Sequence, residues 1–200
     1  MFVGPANNSF GQGAESEVSF GELDGSAMRI GIIRTRWNDE AVSRLVSGIK
    51  EGLKECKVAE DNIFETSVPG SFELPLAARF LSLSGTVDAI ITCGVLIKGD
   101  TYHFEYIADA VSKGLMNVQI QTSTPIVFGV LTCENESQVK ARSTDPNNHG
   151  RDWGKTAVEM GLLRTEAMGG KSGGKDAGLG AVGLGGEKPI NDKKGGSGFF

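Results

Sequence analysis

The stretch TVDAIITCGVL, residues 86–96, decides the fold class of this protein. After an acidic residue at Asp88 it becomes a short, continuous apolar run. Strands that read as unbroken apolar runs, without polar residues at alternate positions, are buried on both faces, as in parallel sheets that helices cover. The stretch therefore predicts an inner strand of a parallel α/β sheet.

Strand-like and helical patterns alternate on both sides of this run. Further strands are predicted at residues 28–35, 62–68 and 125–133. Helices are predicted after Asn38, as the N-cap, to about residue 56, and over residues 71–83, 102–122, 135–142 and 152–168. The order β-α-β-α-β-α-β-α-α predicts an α/β protein with a flavodoxin-like fold, a three-layer α/β/α sandwich around a four-stranded parallel sheet.

The two ends of the chain differ in composition from the part between them. Residues 1–16 are small and polar, and we expect a flexible N-terminal arm. Residues 17–168 are expected to form one domain, in which residues 17–25 alternate like a short strand. Glycine occupies twelve of the positions 169–200, which predicts a mobile, glycine-rich tail.

The composition argues against several classes of protein. A net charge of −5 over 200 residues does not suit a protein that binds nucleic acid or a membrane surface. No apolar run reaches the roughly 18 residues of a membrane span, and the first residues do not resemble a secretory signal. Three scattered cysteines fit a reducing compartment, and two histidines argue against a zinc site. We therefore expect a cytoplasmic protein without a metal.

The candidate site lies where the predicted strands end. In an open α/β sheet, ligands bind outside the carboxyl ends of the strands. The residues that follow the first three strands combine flat aromatic rings, small residues and polar groups, an inventory that suits a planar, polar heterocycle. They are Trp37, Asn38, Gly70, Ser71, Phe72, Glu73, Val95, Leu96, Ile97, Gly99, Asp100, Thr101 and His103.

Several of these residues have a plainer explanation when each is taken alone. The turn Gly99-Asp100-Thr101 precedes the long helix, whose free N–H groups and dipole favour an anion, but simple capping by Asp100 or Thr101 explains the turn equally well. His103 is a candidate proton donor or acceptor beside that anion site, although a lone histidine is more often only hydrogen-bonded. Trp37 is explained as well by hydrophobic cover for the first helix.

Five segments, taken in order, resemble the lumazine synthase family. They are RTRWND, VPGSFELPLAA, CGVLIKGDTYHFEYI, VFGVLTCENESQVKAR and NHGRDWGKTAVEM, and the similarity covers roughly residues 28–168. The resemblance implies that residues 17–168 are a catalytic domain of riboflavin biosynthesis. It implies condensation of 5-amino-6-(ribitylamino)uracil with 3,4-dihydroxy-2-butanone 4-phosphate to 6,7-dimethyl-8-ribityllumazine, phosphate and water, without a metal or an organic cofactor.

The resemblance also implies a role for each candidate residue. Trp37 corresponds to the ring that stacks on the pyrimidine, where many members carry Phe. Residues 71–73 correspond to the segment that holds the ribityl chain and the ring, and residues 95–97 to the strand end that lines the pyrimidine. Asp100 and Thr101 correspond to the phosphate-binding turn, and His103 to the catalytic histidine.

Three further residues are implied to act from other parts of the chain. Phe128 and Arg142 correspond to residues that the adjacent subunit supplies, with Arg142 reaching the phosphate. His149 stands where other members carry Lys, so its role is open. The resemblance implies a homo-oligomer with active sites between subunits, and we expect a pentamer rather than a 60-subunit shell. Val18, Ser19 and Phe20 are a candidate strand for the open sheet edge of a neighbouring subunit.

Two other interpretations remain open at this point. A binding module of the same fold would hold a flavin or a lumazine without turnover, but it would have no need for His103 and Arg142 beside a phosphate turn. A structural shell protein would keep the subunit interfaces but not the polar lining of the site. Consumption of both substrates with release of phosphate distinguishes the enzyme from both.

Overall fold

A four-stranded parallel sheet forms the middle layer of the molecule. The computed structural model describes residues 19–169. The strands lie in the order β2-β1-β3-β4 and all neighbouring pairs are parallel. Their bounds are β1 Ile30–Thr35, β2 Ile63–Val68, β3 Ala89–Ile97 and β4 Ile126–Cys133. The inner position of β3 confirms what its apolar sequence predicts, and its first seven residues are all buried.

Five α-helices cover the two faces of this sheet in the described part of the chain. Their bounds are α1 Asp39–Glu55, α2 Leu74–Ser84, α3 His103–Thr122, α4 Glu136–Ser143 and α5 Gly150–Ala167. Short 3₁₀ turns at Glu60–Asn62 and Ser71–Glu73 precede β2 and α2. The element order and the flavodoxin-like three-layer sandwich are therefore as predicted, with boundaries that differ by a few residues.

Alternation along β3 explains why the core divides in two. Ala89, Ile91 and Cys93 pack in one apolar cluster with residues of α1 and α5. Ile90 points to the opposite face and packs in a second cluster with residues of α2 and α3. Successive strand residues point to opposite faces, so one buried strand contributes to both cores. Burial raises the pKa of Cys93 to about 12, and the thiol packs there as a small apolar side chain.

Helices α1 and α5 pack with their backbones unusually close. Glycines lie at the crossing on both helices, among them Gly52 and Gly154. A Cβ atom built on Gly154 would lie only 2.6 Å from the carbonyl oxygen of Ile49, nearer than real side chains approach. Glycine is therefore required at this position by the distance between the two helices.

Some predictions fall outside the described residues or outside one chain. The N-terminal arm of residues 1–16, Val18 and the glycine-rich segment from residue 170 onward lie outside the described residues. Ser19 to Gly25 form no strand within the single chain, so addition of residues 18–20 to a neighbouring sheet stays a prediction. Within residues 19–169, none of the helices combines the length and the apolar character needed to cross a membrane.

Candidate active site

A cavity of about 680 Å³ opens at the carboxyl ends of the strands. Its size is within the usual range for sites that bind small molecules. It is lined by segments that follow β1 and β2, by the last residues of β3 and by the first turns of α3. The lining residues are Trp37, Asn38, Gly70, Ser71, Phe72, Glu73, Val95, Leu96, Ile97, His103 and Ile107. The structure thus brings together ten residues that the sequence places at strand ends, and it adds Ile107.

Ile107 is the lining residue that the sequence analysis does not include. It lies four residues after His103 on α3, so both side chains project from the same face of the helix. Ile107 extends the apolar wall of the cavity beyond the imidazole. The helical spacing from His103 is a signal that could have identified it.

Asn38 ties the loop after β1 to the end of β3. Asn38 occupies the predicted N-cap position of α1, but it adopts a left-handed conformation (φ 58°) and its side chain makes no capping hydrogen bond. Its amide Nδ2 instead donates to the carbonyl oxygen of Val95 over 2.9 Å. Asparagine tolerates this backbone conformation better than most residues. The hydrogen bond sets the position of the loop relative to the strand end that forms the floor of the cavity.

Trp37 is held at the mouth of the cavity with most of its surface free. Its backbone N–H donates to the carbonyl oxygen of Pro69, which extends the pairing of β1 with β2 into the loop. The side chain is 73% exposed in the single chain. An indole that covered α1 would be buried, so the explanation of Trp37 as hydrophobic cover is wrong. An exposed flat ring beside a cavity is suited to stacking on a planar ligand.

The segment after β2 is closed on itself by Glu73. The carboxylate Oε2 accepts a hydrogen bond of 2.9 Å from the backbone N–H of Gly70. This contact is the glutamate half of a capping box, since Gly70 has no side chain to supply the other half, and it fixes the entry to the Ser71–Glu73 turn. Ser71 is buried, whereas Phe72 is 60% exposed. One carboxylate oxygen of Glu73 is therefore bonded to the backbone of Gly70. The Phe72 ring and the rest of the segment line the cavity.

The turn between β3 and α3 leads from the cavity floor to His103. The backbone N–H of His103 donates to Thr101 Oγ1 over 3.4 Å, which is long for a capping hydrogen bond. Tyr102, at the N-cap position, makes no side-chain capping bond. Gly99, Asp100 and Thr101 are all exposed. Capping by Thr101 is thus weak, and it does not account for the whole turn.

The turn of residues 99–101 does not line the described cavity, and three further predicted site residues lie on other elements. Phe128 is on the edge strand β4 and is 40% exposed. Arg142 is on α4, where its Nη1 donates to the carbonyl oxygen of Gln138 over 3.2 Å. His149 precedes α5 and its ring packs edge-on against Trp153, with 6.3 Å between ring centroids. Within one chain, the described cavity therefore lacks the arginine predicted for the phosphate.

The cysteine thiols do not contribute a nucleophile to this site. Cys56, Cys93 and Cys133 are buried and unpaired with one another. Burial raises the pKa of all three thiols, and for Cys133 the nearby Arg142 opposes this only in part. The thiolate is the reactive form of cysteine, so thiols with raised pKa values are inert at neutral pH. The imidazole of His103 is the cavity's candidate for proton transfer near neutral pH.

Comparisons with known proteins agree with this arrangement. Residues 27–165 match the family model described as 6,7-dimethyl-8-ribityllumazine synthase. A protein of that name from Pyricularia oryzae is 43% identical over 188 aligned residues, which cover 74% of this chain and 94% of the relative. Another of that name, from Schizosaccharomyces pombe, is 47% identical over 144 residues, covering 70% of this chain and 91% of the relative.

The matched range includes all the strands, the cavity and most of the closing helix. The match extends over well more than half of the chain, and the similar relatives are covered nearly along their full length. The resemblance seen in the five sequence segments is therefore confirmed, and the chain belongs to the 6,7-dimethyl-8-ribityllumazine synthase family of transferases.

Proposed function

We propose that this protein condenses 5-amino-6-(ribitylamino)uracil with 3,4-dihydroxy-2-butanone 4-phosphate to form 6,7-dimethyl-8-ribityllumazine. The observation that carries the proposal is the cavity, where the exposed indole of Trp37, the segment of residues 70–73 and the imidazole of His103 converge. Membership of the family supports this choice of reaction over the binding module and the shell protein. Neither of those alternatives needs an imidazole in the cavity.

The proposed chemistry consists of proton transfers around one carbon–nitrogen framework. The aromatic amine adds to the ketone and loses water to form an imine. Elimination of phosphate leaves an enol, which becomes a carbonyl. The ribitylamino nitrogen then adds to that carbonyl and loses a second water, which closes the ring. Each step moves a proton between nitrogen, oxygen and carbon, and an imidazole, with one nitrogen that donates and one that accepts, is suited to exchange them.

The cavity residues divide this work in the proposal. Trp37 stacks on the pyrimidine ring, which its exposure supports. The backbone of Ser71 and Phe72 holds the ribityl chain, and the ends of β3 at Val95 to Ile97 line the ring. Asp100 and Thr101 bind the phosphate through backbone N–H groups at the start of α3, where the helix dipole favours an anion.

Positioning supplies more of the acceleration than His103 in this proposal. Holding two substrates together in one cavity can lower a barrier by roughly 7–11 kcal/mol through the entropy of association. One proton-transfer group adds about 10²–10⁴-fold. Two hydrogen bonds make the cavity rigid in this proposal: that of Asn38 to the carbonyl oxygen of Val95, and that of the Gly70 N–H to Glu73.

We further propose that the active site is completed by a neighbour in a cyclic pentamer. The absence of Phe128 and Arg142 from the described cavity supports a shared site. Large apolar side chains remain exposed on α2 and α3, including Phe80, Leu83 and Ile120. Among residues 19–169 no strand pairs with the outer edge of β2, and such faces and edges are usually covered. The reduced, buried cysteines support a cytoplasmic location.

A two-substrate assay tests the proposed reaction. The purified protein is mixed with both compounds, and the lumazine product and free phosphate are measured together. We expect equal amounts of both products, and neither product when either substrate is omitted. Binding of the pyrimidine without product formation would support the binding module and contradict the proposal. Failure to bind either compound would favour the shell protein.

A further inference from the structure

An ion pair spans the turn between β3 and α3. Lys98 Nζ lies 2.9 Å from Glu105 Oε1. Lys98 follows β3 directly, and its backbone N–H donates to the carbonyl oxygen of Cys133 over 2.9 Å, so it continues the sheet. Glu105 lies in the first turn of α3. The pair therefore joins the sheet to the helix and encloses residues 99–102 in a loop.

The ion pair lies outside the cavity, although its neighbours line it. His103 and Ile107 share one face of α3 and reach the cavity. Glu105 is two residues from each, which places it on nearly the opposite face of the helix. Lys98, which follows the lining residue Ile97, is itself not among the residues that line the cavity, and neither is Glu105. The pair thus contacts the turn on the side away from the cavity, and it does not compete with a ligand.

The fold itself has little need of this contact. The two side chains are 43% and 41% exposed, and exposed ion pairs contribute little to the stability of a protein. The turn that they enclose is open to solvent, since residues 99–102 are exposed and a Cβ atom on Gly99 would meet nothing within 4 Å. The hydrogen bond to Lys98 lowers the pKa of Glu105, and the hydrogen bond to Glu105 raises the pKa of Lys98. Both groups are therefore charged over the whole neutral range.

We propose that Lys98 and Glu105 are positioning residues for the reaction. The pair holds residues 99–102 and the first turn of α3 so that backbone N–H groups face the phosphate and His103 faces the cavity. This inference rests on the proposed function, which assigns the phosphate to the turn. It adds two residues, outside the cavity, on which binding of the phosphorylated substrate depends.

A simpler role for Lys98 makes the opposite prediction. If Lys98 binds the phosphate itself, Glu105 only neutralises that charge and repels the anion. Removal of the Glu105 charge would then strengthen phosphate binding. If the pair positions the turn, removal of the same charge weakens phosphate binding, because the turn loses its restraint. The sign of the effect in Glu105→Gln therefore separates the two roles.

The experiment compares variants of the full-length protein. They are Glu105→Gln, Lys98→Met, the double variant, Lys98→Arg and, as a matched control, Asp109→Asn. The control removes the ion pair of Lys113 with Asp109, a more exposed contact on the same helix and away from the turn. The readouts are KM for each substrate, the affinity for inorganic phosphate by calorimetry, and the melting temperature.

For Glu105→Gln we expect KM of the phosphorylated substrate to rise about two- to fivefold, the range that one exposed ion pair can give. The affinity for inorganic phosphate should fall by a similar factor, while KM of the pyrimidine stays unchanged. KM of the phosphorylated substrate should be no higher in the double variant than in Lys98→Met, and in Lys98→Arg it should equal that of the wild type. Unchanged or stronger phosphate binding in Glu105→Gln, or an equal effect in Asp109→Asn, would overturn the inference.

The same data separate this inference from the proposed reaction. A wild-type protein that binds inorganic phosphate but forms no lumazine would refute the reaction, and phosphate affinities of the variants would still test the pair. Normal turnover with no effect of Glu105→Gln would refute the pair alone. A wild-type protein that binds no phosphate would overturn the pair's role as well.

Discussion

At the scale of single residues, the cavity depends on side chains that hold the backbone as much as on those that face a ligand. Asn38 lines the cavity, yet its amide is bonded to the carbonyl oxygen of Val95. Glu73 lines it too, and one of its oxygens is bonded to the N–H of Gly70. His103 differs from both, because its ring is exposed at the cavity. Replacing these residues should therefore have different consequences.

His103→Ala is expected to lower turnover by about 10- to 10³-fold, within the range for one proton-transfer group. The melting temperature should change little, since the side chain is exposed in the chain. The measurement is steady-state kinetics at saturating substrates, with circular dichroism as the control for folding. Turnover equal to that of the wild type would exclude His103 from the mechanism.

Replacement of Asn38 by Gly and by Ala should separate its hydrogen bond from its backbone conformation. Both variants lose the bond to Val95, worth about 0.5–1.5 kcal/mol. The left-handed conformation costs alanine roughly a further 1 kcal/mol, whereas glycine adopts it freely. Denaturant unfolding should therefore rank the wild type above Asn38→Gly and Asn38→Gly above Asn38→Ala. Equal stability of the two variants would contradict the role assigned to the backbone.

At the scale of elements, contacts between neighbouring segments decide where the strand ends lie. Helix α5 packs closely on α1 across glycine positions. At the opposite end of the sheet from the cavity, the carboxylate of Asp88, just before β3, accepts hydrogen bonds from the backbone and the guanidinium of Arg29, just before β1. The first contact aligns α5 with α1, and the second aligns β3 with β1.

Gly154→Ala should destabilise the protein by about 1–3 kcal/mol, because the new methyl group meets the carbonyl oxygen of Ile49 and not a flexible side chain. Helix propensity alone predicts the opposite sign, since alanine favours a helix by about 1 kcal/mol over glycine. Unfolding in denaturant measures the net effect, and Gly21→Ala, where a Cβ would be in open space, is the control. A more stable Gly154→Ala variant would show that the helices can separate at little cost.

Asp88→Asn should lower stability by about 1 kcal/mol at neutral pH, allowing for the partial exposure of the pair. Burial alone would raise the pKa of Asp88, but the hydrogen bonds and charge of Arg29, with Arg164 nearby, outweigh it and lower the pKa. The stabilisation is therefore complete above the ordinary Asp pKa of about 3.9 and is lost as the pH falls below it.

The measurement for Asp88 is unfolding free energy against pH. The difference between wild type and Asp88→Asn should be constant from pH 7 down to about pH 5 and then shrink as the carboxyl is protonated. Asp109→Asn, which removes a more exposed pair, is the control and should show a smaller difference throughout. A difference that grows towards acid pH would contradict the lowered pKa.

At the scale of the whole molecule, one chain holds an incomplete version of the proposed site. His103 lines the cavity, whereas Arg142 lies on α4 and does not line it. A ring in which each subunit supplies Arg142 to its neighbour would complete every site. Such a one-sided contact repeats around the ring until it closes, and this is the geometry expected for a cyclic pentamer.

Complementation between two inactive variants tests the shared site. His103→Ala and Arg142→Ala proteins are dissociated, mixed in equal amounts and reassembled. An interface is active when one subunit keeps His103 and the next keeps Arg142, so random mixing should restore about one quarter of the wild-type activity. Native mass spectrometry confirms mixed pentamers and gives their size. Mixed rings without any activity would place the whole site within one chain.

The sequence by itself determined the kinds of elements, their order and most of the cavity lining. Apolar runs and helical spacing are local patterns, so they can be read without knowing what packs against what. The rule that ligands bind where parallel strands end then placed ten residues, from Trp37 to His103, around the cavity before any distance was known. The family follows from the same residues.

Only the tertiary structure decided how those residues are held. Asn38 was expected to cap its own helix, but its amide bonds to Val95, 57 positions away in the chain. Lys98 and Glu105 are brought together as an ion pair. The placement of β4 and α4 keeps Phe128 and Arg142 away from the cavity. A side chain's hydrogen-bond partner depends on which distant segment folding brings beside it. Local periodicity carries no information about that choice, because it is settled by the packing of the whole sheet and its helices.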